Sequence, residues 1–116
     1  RVLLAEDEEI NREVAGILLE DAGFSVVEVE NGARALEEMA SGRHYDLILM
    51  DVQMPEMDGL EATRRIRARP SGARIPIVAL TGNAFAEDRK RCLDAGMDAF
   101  IAKPMDPERF YETLLA

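Results

Sequence analysis

Two hydrophobic periods alternate along this chain, and that alternation constrains the fold more than any other feature. Val2-Leu3-Leu4-Ala5 is a short apolar run suited to a buried strand. Ile10, Val14, Ile17 and Leu18 follow at i, i+4, i+7 and i+8, a stripe of the kind that faces a core, on a helix running to about Asp21. Ala22-Gly23 ends it. Phe24 to Val29 reads as the next strand, and Asn31-Gly32 opens a helix carrying Ala35, Leu36, Met39 and Ala40. Asp46 to Met50 is the third strand, followed by a loop from Asp51 to Gly59. The helix from Leu60 to about Ala68 carries Leu60, Thr63 and Ile66, and Pro70-Ser71-Gly72 breaks it. Ile75 to Leu80, then Phe85 to Ala95, then Asp98 to Ala102 give strand, helix and strand. A last helix starts near Asp106, with Pro107 suited to its first turn and Phe110 and Leu114 at i, i+4.

The pattern is (βα)5. Strands alternating with helices imply parallel pairing through right-handed crossovers. Leu47-Ile48-Leu49 and Ile77-Val78-Ala79-Leu80 are apolar on both faces, as central strands covered by helices must be. The expected fold is an α/β doubly wound, five-stranded parallel sheet of order 2-1-3-4-5. A length of 116 residues fits one domain, 1–116, with a core that needs no staples. The chain begins at Arg1 rather than Met, as a piece of something longer would.

Composition narrows the function classes. Hydrophobic residues at 47% and charged residues at 32% exclude disordered and fibrous classes. The single cysteine, Cys92, allows no internal disulfide and is expected to be a packing residue. No apolar run approaches the ~20 residues of a membrane span, and no signal peptide is visible, so the default setting is cytoplasmic without membrane contact. A net charge of −9 argues against nucleic-acid binding, which depends on Lys and Arg at phosphates. The same charge permits a cation site.

Ligands of doubly wound sheets bind beyond the carboxyl ends of the strands. Glu6-Asp7 ends the first strand, Asp51 the third, Thr81-Gly82 the fourth and Lys103-Pro104 the fifth. In the expected order these four strands are neighbours. Clustered carboxylates raise one another's pKa, and a cation resolves the repulsion. One or two carboxylates plus waters and phosphate oxygens suit Mg²⁺. Each residue also has an ordinary reading. Glu6-Asp7 fits a solvated loop capping a helix, Asp51 a turn former, Lys103 a salt bridge, and Thr81 a strand end. A carboxylate can also carry an acyl phosphate, and lysine can serve phosphoryl oxygens as a point charge.

These residues resemble the receiver domains of two-component signalling. The matching segments are Leu4-Ala5-Glu6-Asp7, Leu49-Met50-Asp51-Val52-Gln53-Met54-Pro55-Glu56-Met57-Asp58-Gly59, Ala79-Leu80-Thr81-Gly82-Asn83-Ala84 and Ala95-Gly96-Met97-Asp98-Ala99-Phe100-Ile101-Ala102-Lys103-Pro104. Asn11-Arg12 and Cys92 to Met97 are most similar to receivers of hybrid sensor histidine kinases. The resemblance implies the flavodoxin-like form of the sheet. It implies that Asp51 accepts phosphoryl from a phosphohistidine, and that the domain carries self-phosphorylation and self-dephosphorylation chemistry. It also implies that Asp7 and Asp51 ligate Mg²⁺ directly, Glu6 through water, and Gln53 through its backbone carbonyl. The phosphoryl group is then held by Lys103, the Thr81 hydroxyl and the backbone N–H groups of Gln53 and Gly82. Thr81 and Phe100 form the switch pair, which alters the surface of the fourth helix, fifth strand and fifth helix. Phe100 lacks the hydroxyl of the commoner tyrosine, so inward packing is expected even without phosphate. The implied partner is a histidine kinase or histidine phosphotransfer protein; since its imidazole must reach Asp51 in line, docking is expected over Asn11 to Ala15 and Pro104-Met105, and the domain is expected to be a monomer or weak dimer.

The same residues argue against three rival functions. A flavin or nucleotide binder needs a phosphate-cradling loop after strand one, but that loop is Glu6-Asp7-Glu8-Glu9. A degenerate receiver acting only as an interaction module would not need intact Asp7, Asp51, Thr81 and Lys103. A metal-dependent phosphatase for external substrates would need a substrate pocket or cap.

Overall fold

The computed structural model describes residues 1–69, 74–82, 86–103 and 105–115. The expected breaker at Pro70-Ser71-Gly72, the Asn83 to Phe85 segment and Pro104 lie outside them. The elements run β1 (Val2–Ala5), α1 (Glu9–Asp21), β2 (Val26–Val29), α2 (Gly32–Ala40), β3 (Leu47–Asp51), α3 (Gly59–Arg67), β4 (Ile77–Thr81), α4 (Ala86–Ala95), β5 (Ala99–Ala102) and α5 (Pro107–Leu115). All four strand pairings are parallel, in the order β2-β1-β3-β4-β5. Among the described residues, no helix is long and apolar enough to cross a membrane.

Residues of the three central strands alternate between two cores. Leu3, Ile48, Met50, Ile77 and Ala79 pack toward α2, α3 and α4, with Met39, Ile66 and Cys92. Val2, Leu4, Leu49, Val78 and Leu80 pack toward α1 and α5, with Leu19 and Phe110. Continuous apolar runs are thus explained by burial on both faces. The switch from loop to helix is set by side-chain caps at α2 and α3. The Asn31 side chain accepts from Arg34 N at 2.9 Å, and Asp58 Oδ1 accepts from Glu61 N at 2.9 Å.

Helix α1 departs from its expected orientation. It buries Ala15, Gly16 and Leu19, leaving Ile10 and Ile17 73% and 53% exposed and Val14 41% exposed. Two apolar stripes share this helix. The sheet side takes the one formed by Ala15, Gly16 and Leu19, and Ala15 and Leu19 join the core that holds Phe110. Strand β5 begins one residue after expectation, and the residue before it, Asp98, donates its N–H to Ile77 O at 2.8 Å. Its Oδ2 accepts from Ile77 N at 2.9 Å and from Arg67 Nη2 at 2.7 Å.

That arginine is a structural residue the hydrophobic pattern could not signal. From the last turn of α3, Arg67 also donates through Nε to Gly96 O at 2.9 Å and through Nη1 to Ile75 O. One guanidinium thereby ties α3 to the entries of β4 and β5, using the planar fork that lysine lacks. Arg67→Ala should destabilise the domain by about 2 kcal/mol, since it strands a carbonyl pair and loses a half-buried ion pair. Arg67→Lys should recover only a minor part of that loss. Urea unfolding of both variants measures it.

Candidate functional site

The carboxyl ends of β1, β3, β4 and β5 lie side by side, and they bring together the residues expected from the strand ends. Asp51 is the last residue of β3 and is 3% exposed; Thr81 ends β4 at 7%. The β4–β5 register sets Lys103 just beyond Ala102, which pairs with Thr81, and Lys103 N donates to Thr81 O at 2.8 Å. Asp7, Asp51, Gln53, Thr81, Gly82 and Lys103 line one cleft of about 390 Å³. A hollow of about 520 Å³ at the opposite edge, beside Tyr45 and Pro76, gathers no such set, so size does not locate the chemistry.

Glu6 sits behind the cleft, fully buried, while Asp7 is exposed at its mouth. Carboxylate oxygens of Glu6, Asp7 and Asp51 lie within 4.8 Å of one another. Lys103 Nζ stands 2.8 Å from Glu6 Oε1 and 3.1 Å from Asp51 Oδ2. Gln53 N donates to Asp51 Oδ1 at 3.3 Å. Glu6 Oε2 is buried without a hydrogen-bond donor among the described residues. One ammonium therefore faces three carboxylates.

The electrostatics follow from that imbalance. Burial pushes the Asp51 carboxyl up to about 6; the facing Glu6 carboxylate adds to this, and Lys103 offsets part of it. Asp7 is raised too, first by burial and then by Asp51. Burial pulls the Lys103 ammonium down, but Glu6 and Asp51 outweigh it and hold it above the ordinary lysine value. Three hard oxygen donors, one of them on the buried Glu6 carboxylate whose Oε2 accepts no hydrogen bond among the described residues, fit a small divalent cation such as Mg²⁺.

The loop after Asp51 is fixed by two close approaches that only glycine permits. A Cβ on Gly59 would lie 2.1 Å from the Asp51 carbonyl oxygen, and one on Gly32 would lie 2.4 Å from that of Met57. Gly59 N also donates to Val52 O at 2.9 Å. The glycine in Met57-Asp58-Gly59 thus seats α3 directly against the end of β3.

Phe100 is half-buried and packs against the core under α4. It pairs with Ala79 while Ala102 pairs with Thr81, so Phe100 and Thr81 project to one side of the sheet. The ring is not drawn fully inward as its missing hydroxyl suggested. The guanidinium of Arg89 stands over it, 4.6 Å from the centroid, a partner that no sequence spacing signals.

Comparison with known proteins agrees with this geometry. A family model described as the response regulator receiver domain matches residues 2–115. The chain is 44% identical over 110 residues to hybrid signal transduction histidine kinase L of Dictyostelium discoideum, covering 90% of this chain and 6% of that protein. It is 37% identical over 113 residues to the polar-differentiation response regulator DivK of Brucella ovis, covering 97% and 91%. A crystal structure of the receiver domain of sensor histidine kinase PA1611 from Pseudomonas aeruginosa, with magnesium coordinated in its active-site cleft, superposes with a TM-score of 0.89. It is 42% identical and covers 97% of this chain and 92% of that one. The chain spans between 6% and 15% of the length of the histidine kinases it matches. Sequence, strand order and the acidic cleft converge on one assignment: the chain belongs to the response regulator receiver domain family of two-component signalling.

Proposed function

We propose that this chain is a single phosphoacceptor module, with Asp51 receiving phosphoryl from the phosphohistidine of a histidine kinase or histidine phosphotransfer protein. The observation that carries the reading is the placing of Asp51 at the end of β3, between Lys103 and the Glu6-Asp7 pair, inside one open cleft. An Asp51 carboxylate oxygen bonds to phosphorus as the P–N bond breaks. The electron pair leaves with the imidazole, which needs no strong base in the receiver. Lys103, the Thr81 hydroxyl and the backbone N–H groups of Gln53 and Gly82 hold the phosphoryl oxygens. Asp7 and Asp51 with the Gln53 carbonyl would hold Mg²⁺, and Glu6 would act through water. When bound, the ion supplies positive charge that offsets repulsion between anionic nucleophile and anionic donor. Incubation with acetyl phosphate and Mg²⁺ should add one phosphoryl group by intact mass. No adduct would leave the chain an interaction module instead.

The donor must reach Asp51 in line, so its helix lies over the rim formed by α1 and the start of the segment after β5. Ala15, first expected on that surface, is buried. The exposed apolar residues Ile10, Val14 and Ile17 take its place, and Met105 after β5 is half-buried. Val14→Asp should slow transfer from a cognate phosphohistidine protein roughly tenfold, the cost of losing one buried aliphatic contact. Labelling by acetyl phosphate should not change. Equal slowing with both donors would remove α1 from the docking surface.

A further inference from the structure

The Arg89 contact with Phe100 has a consequence for signalling. Phe100 and Thr81 face the same side of the sheet, the side covered by α4. Arg89 belongs to α4 and is exposed to solvent apart from its place over the ring. The two residues also line a hollow of about 230 Å³ with Ala102, Asp106, Arg109 and Thr113. The ring therefore has packing on one side, a cation on the other, and open space beside it. Movement of Thr81 toward a phosphoryl group on Asp51 would vacate room along β4, on the same face. A ring sliding into that room leaves the guanidinium behind.

We propose that Arg89 is a positioning residue for the phosphorylation readout: its guanidinium stacks on Phe100 and holds the ring in its half-exposed place. This rests on the reading that Thr81 and Phe100 report the phosphoryl group. The stack exists only in the resting arrangement, so it biases the equilibrium toward that arrangement. By linkage it lowers affinity for a phosphoryl mimic by the same factor. For an exposed cation–π contact that factor is about two to five. Lysine at this position would keep the charge but lose the planar stack.

The test follows Phe100 ring signals by NMR in the metal-free chain and through titration with beryllofluoride and Mg²⁺. Arg89→Ala should move the metal-free ring signals toward their beryllofluoride-bound positions and raise apparent beryllofluoride affinity about two- to fivefold. Arg89→Lys should fall between Arg89→Ala and the unmodified chain. Lys90→Ala, which removes the same charge one residue along α4, should leave both readouts unchanged. The stack is wrong if Arg89→Ala alters neither readout, or if Lys90→Ala reproduces its effect. If the ring signals of the unmodified chain ignore bound beryllofluoride, the readout through Thr81 and Phe100 is itself wrong, and the role of Arg89 falls with it.

Discussion

Asp51→Asn should abolish phosphoryl uptake from acetyl phosphate and from phosphohistidine alike. The amide is nearly isosteric, so the end of β3 and its Gln53 N–H contact persist, but the anionic nucleophile is gone. Two companion variants separate the roles around it. Lys103→Met removes the ammonium 3.1 Å from Asp51 Oδ2 and leaves Glu6 buried without its counter-ion. It should slow phosphorylation by roughly 10²-fold or more, the usual cost of losing a preorganised charge at the reacting centre. Thr81→Ala removes one neutral donor and should cost less than Lys103→Met. Labelling measured by intact mass over time orders the three. Residual labelling of Asp51→Asn at the native level would move the acceptor to another residue.

The candidate site was legible in the sequence because the residue types that compose it stand at strand ends. Glu6, Asp7, Asp51, Thr81 and Lys103 each follow or finish an apolar run, and a parallel sheet has one carboxyl edge. The strand order came from the commonest doubly wound arrangement at this size, and the pairing β2-β1-β3-β4-β5 bears it out. What could not be read was a choice between two plausible faces or a contact made by one polar side chain. On α1 the larger stripe, Ile10, Val14 and Ile17, resembles a core face, yet Ala15, Gly16 and Leu19 fill that role. Periodicity reports where apolar residues lie, not which of two stripes on one helix meets the sheet. Arg67 and Arg89 looked like two arginines among many. Their partners lie at Ile75, Gly96 and Asp98 for one and Phe100 for the other, fixed by tertiary approach rather than spacing.

Without metal, the domain should lose stability as pH rises from about 4 to above 6, and Asp51→Asn should remove most of that loss. Asp51 carries a folded-state pKa of about 6 against the 3.8 of an unperturbed aspartate. Between these values the folded chain binds more protons than the unfolded one. Stability therefore falls with rising pH across the window, and the loss is complete once Asp51 is ionised in both states. A shift of this size is worth on the order of 3 kcal/mol for a group as buried as Asp51. Asp7 is raised in the same direction and adds to the slope from the low-pH side. Lys103 does not contribute there. Its raised pKa gives stability that is present below 10.5 and lost only as pH climbs through the higher folded value. At pH 7 the metal-free Asp51→Asn chain should melt roughly 10 °C above the unmodified one. Millimolar Mg²⁺ should close most of that gap by stabilising only the chain that keeps all three carboxylates. Thermal melts at pH 4.5 and 7, with EDTA and with Mg²⁺, test both halves. If the two chains share one pH profile in EDTA, the burial of Asp51 beside Glu6 is not a source of instability. An unchanged gap in Mg²⁺ would mean that the cluster does not take up the ion.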